Sequence, residues 1–183
     1  MSAVVAFTPP GTPLPEDLER LFRAHSPLVY RAAYSVTARA EDAEDVVQAL
    51  FLRLWRYGLP ADFVANPRGY LYRAAINQAL NLMRSRRRQP PTLDPADLQR
   101  AADAHLAPPA AEHHSDVHHA LAAAMAQLSP RAVQMLVLRY TEDYSDAEIA
   151  TLLGTSRGTV AVTLFRARAR LKKLLSAASG DTV

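Results

Sequence analysis

The chain of 183 residues is 49% hydrophobic and 21% charged, which excludes a disordered or fibrous chain and allows one large or two small globular domains. It has no cysteine, which excludes disulfides and thiolate metal sites and fits a reducing cytoplasm. The net charge is only +3 with a pI near 9.4, so the clustering of the arginines matters more than their sum.

Residues 1–13 are mildly apolar, lack a basic n-region and are interrupted by Pro9, Pro10 and Pro13, so they read as a disordered N-terminus and not a signal peptide. No apolar run approaches a membrane span, and no membrane insertion is expected. After Pro15, the positions Leu18, Leu21 and Phe22 begin a helix, which Ser26-Pro27 is expected to restart as N-cap and first-turn proline. Val29, Ala33 and Val36 continue its buried side. The acidic run Glu41, Asp42, Glu44, Asp45 opens another helix, where negative charge opposes the positive helix end. Its apolar stripe is Val46, Val47, Leu50, Phe51 and Leu54, and Gly58 stops it. Asp45, Gln48, Ala49, Leu52, Arg53 and Arg56 point outward. Taken alone, an exposed Leu52 needs no explanation.

Asn66-Pro67 caps the next helix, with Leu71, Ala75, Ala79 and Leu82 expected inward. The opposite side reads Tyr70, Arg73, Asn77, Asn81, Arg84, Arg88 at spacings of three and four. An aromatic ring stacks on a base, Asn bonds a base edge and arginine holds phosphate, so this stripe has the parts for single-stranded nucleic acid. The basic end Arg86-Arg87-Arg88 extends it. A solvated face ending in a basic tail fits the same residues.

From Gln89 to about His114 the prolines Pro90, Pro91, Pro95, Pro108 and Pro109, with many alanines, argue for a linker holding at most a short helix between Pro95 and Ala107. His105, His113, His114, His118 and His119 gather there, and His114 and His118 are one helical turn apart. No cysteine joins them and no fourth ligand is evident, so a polar linker end is the reading and no metal is assigned. Leu121, Met125 and Leu128 then form a helix, and Ser129-Pro130 starts another expected to bury Val133, Leu136, Val137 and Tyr140.

Ser145-Asp146-Ala147-Glu148 has capping-box spacing. The helix it starts carries Ile149, Leu152 and Leu153 and meets Gly154, suited to a left-handed C-terminal cap. Ser156 is placed to cap a second helix with Val160, Leu164, Ala167, Leu171 and Leu174 as buried stripe. Two helices joined by a glycine-containing turn form the helix-turn-helix pattern, whose second helix enters the DNA major groove. From Ile149 to Gly180 there is no acidic residue, while Arg157, Arg166, Arg168, Arg170, Lys172 and Lys173 lie on or beside the second helix. An ordinary helical hairpin with a solvated basic face is the plainer alternative.

The order of Asp45-Val46-Val47-Gln48, Tyr70-Leu71-Tyr72-Arg73, a basic end, a linker, Leu128-Ser129-Pro130, Glu148-Ile149-Ala150, Gly158-Thr159-Val160 and Phe165-Arg166-Ala167-Arg168 resembles a bacterial extracytoplasmic-function sigma factor over residues 16–175. The resemblance implies an all-α fold of two small helical domains: residues 14–88, a Pro/Ala-rich linker 89–116, a helix-turn-helix domain 117–176, and a disordered tail 177–183. It also implies that Asp45, Gln48, Ala49 and Leu52 meet the clamp helices of the largest subunit of core RNA polymerase. The beta flap would be the second polymerase contact that the resemblance implies. Tyr70, Arg73, Asn77, Asn81, Arg84 and Arg88 would hold the minus-ten element. Ser156, Arg157, Thr159, Val162, Phe165, Arg166 and Arg168 would hold the minus-thirty-five element. An anti-sigma factor is a further implied partner, and no cofactor is. Where the family often has basic and hydroxyl residues after Gly-Thr-Val, this chain has Ala161-Val162-Thr163, so base reading there is poorer in hydrogen bonds. No paired carboxylates, nucleophile-base set or phosphate-cradling loop points to an enzyme. A helix-turn-helix regulator that acts without polymerase, a histidine-bearing metal sensor or metalloenzyme, and a protein-interaction adaptor using the apolar and acidic faces alone remain as alternatives.

Overall fold

Among the residues the computed structural model describes, 15–88 and 109–180, all regular structure is helical. Residues 1–14, 89–108 and 181–183, with the expectations that fall on them, lie outside the described part. The helices are α1 (Pro15–Thr37), α2 (Ala40–Tyr57), α3 (Ala61–Ala65), α4 (Pro67–Arg88), α5 (Pro109–Met125), α6 (Pro130–Tyr140), α7 (Asp146–Leu153) and α8 (Arg157–Gly180).

The first four make an N-terminal bundle. Helix α1 is one helix, not two, with Pro27 inside it. A proline there loses an amide and crowds the preceding turn. The inward stripe of Leu28, Val29, Ala32, Ala33 and Val36, fully or nearly buried against α2 and α4, offsets that cost and carries the helix through. Helix α2 buries Val46, Val47, Leu50, Phe51 and Leu54 as expected and ends at Gly58, whose φ of 79° suits glycine. The short α3, not anticipated from the sequence, inserts Phe63 under Tyr70. Helix α4 turns Leu71, Tyr72, Ala75, Ile76, Ala79 and Leu80 inward; Leu82, expected in the core, is only half-buried near the C-terminal end of the helix.

Asp42 is a buried carboxylate in the first turn of α2, paired with Arg86 at the end of α4 and lying 3.8 Å from Arg39. That pairing draws part of the basic end of α4 into the bundle.

Helix α5 starts at Pro109, inside the stretch expected to be linker, and α8 runs to Gly180, into the expected tail. In both segments alanine, the best helix former, recurs. The C-terminal bundle is built around Val133, Met135, Leu136, Val137, Leu138, Ile149, Leu153, Val160, Leu164 and Ala167. Tyr140 is exposed rather than buried, since Leu138 fills the inward place at that end of α6.

The two bundles touch. Asn66 Nδ2 donates to Leu152 O at 3.2 Å, and Gln134 Nε2 donates to Asn77 Oδ1 at 3.1 Å. Arg84 donates through Nε to Ala126 O at 3.0 Å and through Nη2 to Leu128 O at 2.8 Å. Arg31 pairs with Glu142 at 3.2 Å, and the Arg68 guanidinium lies 5.6 Å from the Tyr144 ring centroid.

Candidate nucleic-acid interface

Helix α4 begins with Pro67 at its first position, preceded by Asn66, whose Oδ1 accepts the Gly69 amide at 2.8 Å. The register this sets puts Tyr70, Arg73, Asn77 and Asn81 on one side, around a concavity of about 520 Å³ shared with Ala49 and Arg53. Tyr70 is held from two directions: its ring meets Phe63 edge-on at 5.8 Å, and its hydroxyl accepts from Arg53 Nη2 at 3.1 Å. A pinned, half-buried ring beside amides and guanidiniums has the chemistry of a platform for an unstacked base. Arg53 belongs to this group although its place on α2 hid it in the sequence. The periodicity of one helix does not say which residue of another faces it.

The rest of the stripe divides. Arg88 is exposed, whereas Arg84 is spent on the carbonyls of Ala126 and Leu128, and Asn77 already accepts from Gln134. Arg86 is held by Asp42, while Arg87 and Arg88 are exposed.

On the other side of α2, Asp45, Gln48 and Leu52 are exposed. Gln48 and Leu52 line an apolar concavity of about 500 Å³ with Leu18, Phe22, Phe51 and Trp55. Leu52 is therefore not a solitary exposed leucine. It lies 52% exposed beside Trp55 at 51% and Phe22 at 42%, a patch of the kind that marks an interaction face. Ala49 does not join them; it faces the Tyr70 concavity, so the four positions expected to meet polymerase split between two faces. Trp55 went unremarked in the sequence and Phe22 was read only as an apolar position of the first helix, although an apolar stripe widened by 52 and 55 was the available signal.

In the helix-turn-helix, the capping box forms in full. Ser145 Oγ accepts the Glu148 amide at 3.3 Å and Glu148 Oε2 accepts the Ser145 amide at 2.8 Å. Hydrogen bonds from the Ser145 side chain and then its backbone hold the Glu148 carboxyl below its ordinary pKa. Gly154 takes the left-handed conformation, φ 61° and ψ 53°, that ends α7. Ser156 Oγ accepts the Thr159 amide at 3.1 Å and lies 2.8 Å from Thr159 Oγ1, so Ser156 acts first as the cap of α8. Val160, Leu164 and Ala167 are buried, and Leu171 and Leu174 half-buried. Thr159, Val162, Phe165 and Arg166 are exposed on the outward side with Arg157. Phe165 is 68% exposed and Val162 50% exposed. Arg168 Nη1 donates to the Tyr140 hydroxyl at 3.3 Å.

Among the described residues no three of His, Asp and Glu stand together as a metal site, and no helix is long and apolar enough to cross a membrane. His118 and His119 are exposed on α5; the side chains of His105, His113 and His114 lie outside the described part.

With this geometry in place, comparison with known proteins identifies the class. The family description "Sigma-70 region 2" matches residues 21–89, and "Sigma-70, region 4" matches residues 118–171. The ECF RNA polymerase sigma factor SigM of Mycobacterium tuberculosis is 30% identical over 159 residues, covering 86% of this chain and 76% of the relative. The ECF RNA polymerase sigma factor SigE of Mycolicibacterium smegmatis is 32% identical over 167 residues, covering 90% of this chain and 63% of that relative. The chain thus spans less than two thirds of some relatives' length. CnrH, solved in complex with the cytosolic domain of CnrY, is 26% identical with a TM-score of 0.52, covering 91% of this chain and 92% of that one. The chain belongs to the extracytoplasmic-function RNA polymerase sigma factors.

Proposed function

We propose that the protein is a cytoplasmic, non-enzymatic initiation factor that binds core RNA polymerase, places it on promoter DNA and promotes strand opening. The observation that carries this reading is the pairing of two unlike nucleic-acid faces in one chain. One is the α4 concavity, where a pinned Tyr70 ring sits among Arg73, Asn77 and Asn81. The other is the exposed outward side of α8, with Thr159, Val162, Phe165 and Arg166 at the position a helix-turn-helix offers to the major groove. A duplex reader fixes position, and a base-stacking face holds bases once they leave the stack, which lowers the cost of opening. Neither step needs covalent chemistry.

Core polymerase is assigned to the exposed side of α2, where Asp45, Gln48 and Leu52 combine acidic, amide and apolar groups beside Trp55. The clamp helices of the largest subunit meet this face, and the beta flap meets the C-terminal bundle. An anti-sigma factor is the further partner that family membership implies.

The test is co-purification of the tagged full chain with core polymerase, followed by transcription from a dependent promoter. The expected result is a stoichiometric complex that initiates only where the factor directs it. A chain that ignores core polymerase yet binds a symmetric operator would instead be a polymerase-independent helix-turn-helix regulator.

A further inference from the structure

The outward side of α8 is not uniformly polar. At about 100° per residue, Val162, Phe165 and Ala169 fall within roughly 60° of one another, opposite the buried Val160, Leu164 and Ala167. All three are exposed, and together they make a ridge of carbon in which no side chain carries a donor or an acceptor. Arg157, Arg168 and Lys172 lie in a row about 80° to one side of the ridge, and Arg166, Arg170 and Lys173 in a row about 80° to the other. Both rows are exposed, and the sequence has no acidic residue between Ile149 and Gly180 to neutralise either. On the first flank Arg168 Nη1 donates to the Tyr140 hydroxyl at 3.3 Å, which holds that guanidinium toward the end of α6 and off the ridge.

A helix with its side chains is about 10–12 Å across and the major groove is about 12 Å wide. A helix lying along the groove therefore presents one line to the base edges and its two flanks to the phosphate strands on either bank. The two basic rows match the banks. What the ridge can read follows from what it lacks. Polar base edges offer donors and acceptors, and Val162, Phe165 and Ala169 can answer neither. Thr159, the hydroxyl at the start of the helix, lies 2.8 Å from Ser156 Oγ and is paired there. The one apolar feature that base edges show in the major groove is the C5 methyl of thymine. From Val162 to Ala169 the ridge rises about 10 Å at 1.5 Å per residue, the length of about three base pairs.

We propose that α8 recognises its site through thymine methyls: Val162 and Phe165 pack on the methyls of two or three successive pairs, while the flanking rows clamp both phosphate strands. The inference rests on the assignment of α8 to the upstream promoter duplex. Covering one methyl with carbon corresponds to about a fourfold gain in affinity. The phosphate rows add affinity that falls with salt and carries no sequence preference.

Holoenzyme assembled from the full chain and core RNA polymerase is used to select promoter duplexes from a pool randomised across the upstream element. The selected duplex is then remade with deoxyuridine for each thymine, which deletes the methyl and leaves the hydrogen-bonding edges unchanged. Thymine should be enriched at two or three neighbouring pairs, and each deoxyuridine there should weaken binding about fourfold. Val162→Ser with Phe165→Ala, both at exposed positions, should make the thymine and deoxyuridine duplexes bind equally. Lys172→Ala with Lys173→Ala should instead weaken both duplexes alike and flatten the salt dependence. If the first double variant loses helicity, Phe165→Gln alone should still shrink the difference between the two duplexes. A selected duplex that binds equally well with thymine and deoxyuridine in wild type overturns the proposal, as does a methyl effect that survives the loss of both side chains. If Phe165→Ala weakens assembly with core polymerase and leaves the methyl effect intact, the ridge is a protein contact and the proposal fails. Failure of the functional assignment reads differently: no holoenzyme forms, or no duplex is enriched from the pool.

Discussion

The buried pair of Asp42 and Arg86 decides whether the basic end of α4 is structure or ligand, and its energetics can be worked from burial. Asp42 has a side chain 1% exposed, while Arg86 is 44% exposed and Arg39, 3.8 Å away, is 28% exposed. Removing one partner of a fully buried pair costs about 3–5 kcal/mol, because the other is left charged and dry. Arg86→Ala comes near that case: Asp42 stays buried with only the longer Arg39 contact, so about 3 kcal/mol is expected. Asp42→Ala leaves arginines that largely rehydrate, so about 2 kcal/mol is expected. The double variant removes the conflict that each single one creates and should fall short of the sum by about 1–2 kcal/mol. Urea unfolding of the full chain, followed by helical circular dichroism, measures all three, and about 1 M salt should weaken the coupling only in part, because Asp42 is shielded from solvent while Arg86 is 44% exposed. By contrast, the Arg23–Glu19 pair, 76% and 61% exposed, should contribute nothing measurable. If Arg86→Ala leaves stability within about 0.5 kcal/mol of wild type but flattens the salt dependence of DNA binding, Arg86 is a phosphate ligand and the structural assignment fails.

Asp45→Ala with Gln48→Ala should weaken association with core polymerase while leaving helicity and melting temperature unchanged, since both side chains are exposed; a large loss of stability with intact association would contradict this. Tyr70→Ala should reduce permanganate-reactive open complex more than closed-complex binding, because its proposed contact forms only with an unpaired base; equal loss in both would point to a solvated face. The folded Glu148 carboxyl lies below its unfolded pKa, so its contribution to stability is present above the ordinary carboxylate range and is lost as pH falls through the folded value; acid titration of the Glu148→Gln variant should lack that step. At the upstream element, Arg166→Ala should lower affinity evenly across base variants and reduce the salt slope. Single base changes should be tolerated well, because a good bidentate pair supplies about 1–3 kcal/mol of discrimination and Ala161 donates no hydrogen bond.

What could be read from the chain was what local physical chemistry dictates. The Ser145–Glu148 box, the left-handed Gly154 and the Ser156 cap depend on residues within a few positions of each other, and each formed where spacing placed it. The apolar stripes of α2 and α8 follow from periodicity and were equally accessible. The misplaced features have another origin. Pro27 is a breaker by local rule, yet α1 continues because its inward side is buried along the whole bundle. Tyr140 fits the period of α6, but Leu138 fills the inward place at that end of the helix and leaves Tyr140 exposed. The polar stripe of α4 shows the same limit at the level of function. Helical spacing established that Tyr70, Asn77 and Arg84 share a face, but it carried no information on what lies against that face. Asn77 and Arg84 find their partners 57 and 44 residues away, on elements whose own patterns point to a separate domain. The groups suited to holding a base edge or a phosphate, amide and guanidinium, are also those suited to a carbonyl or a glutamine on a neighbouring bundle. The same residue types therefore suit either kind of partner, and helical spacing alone does not distinguish them.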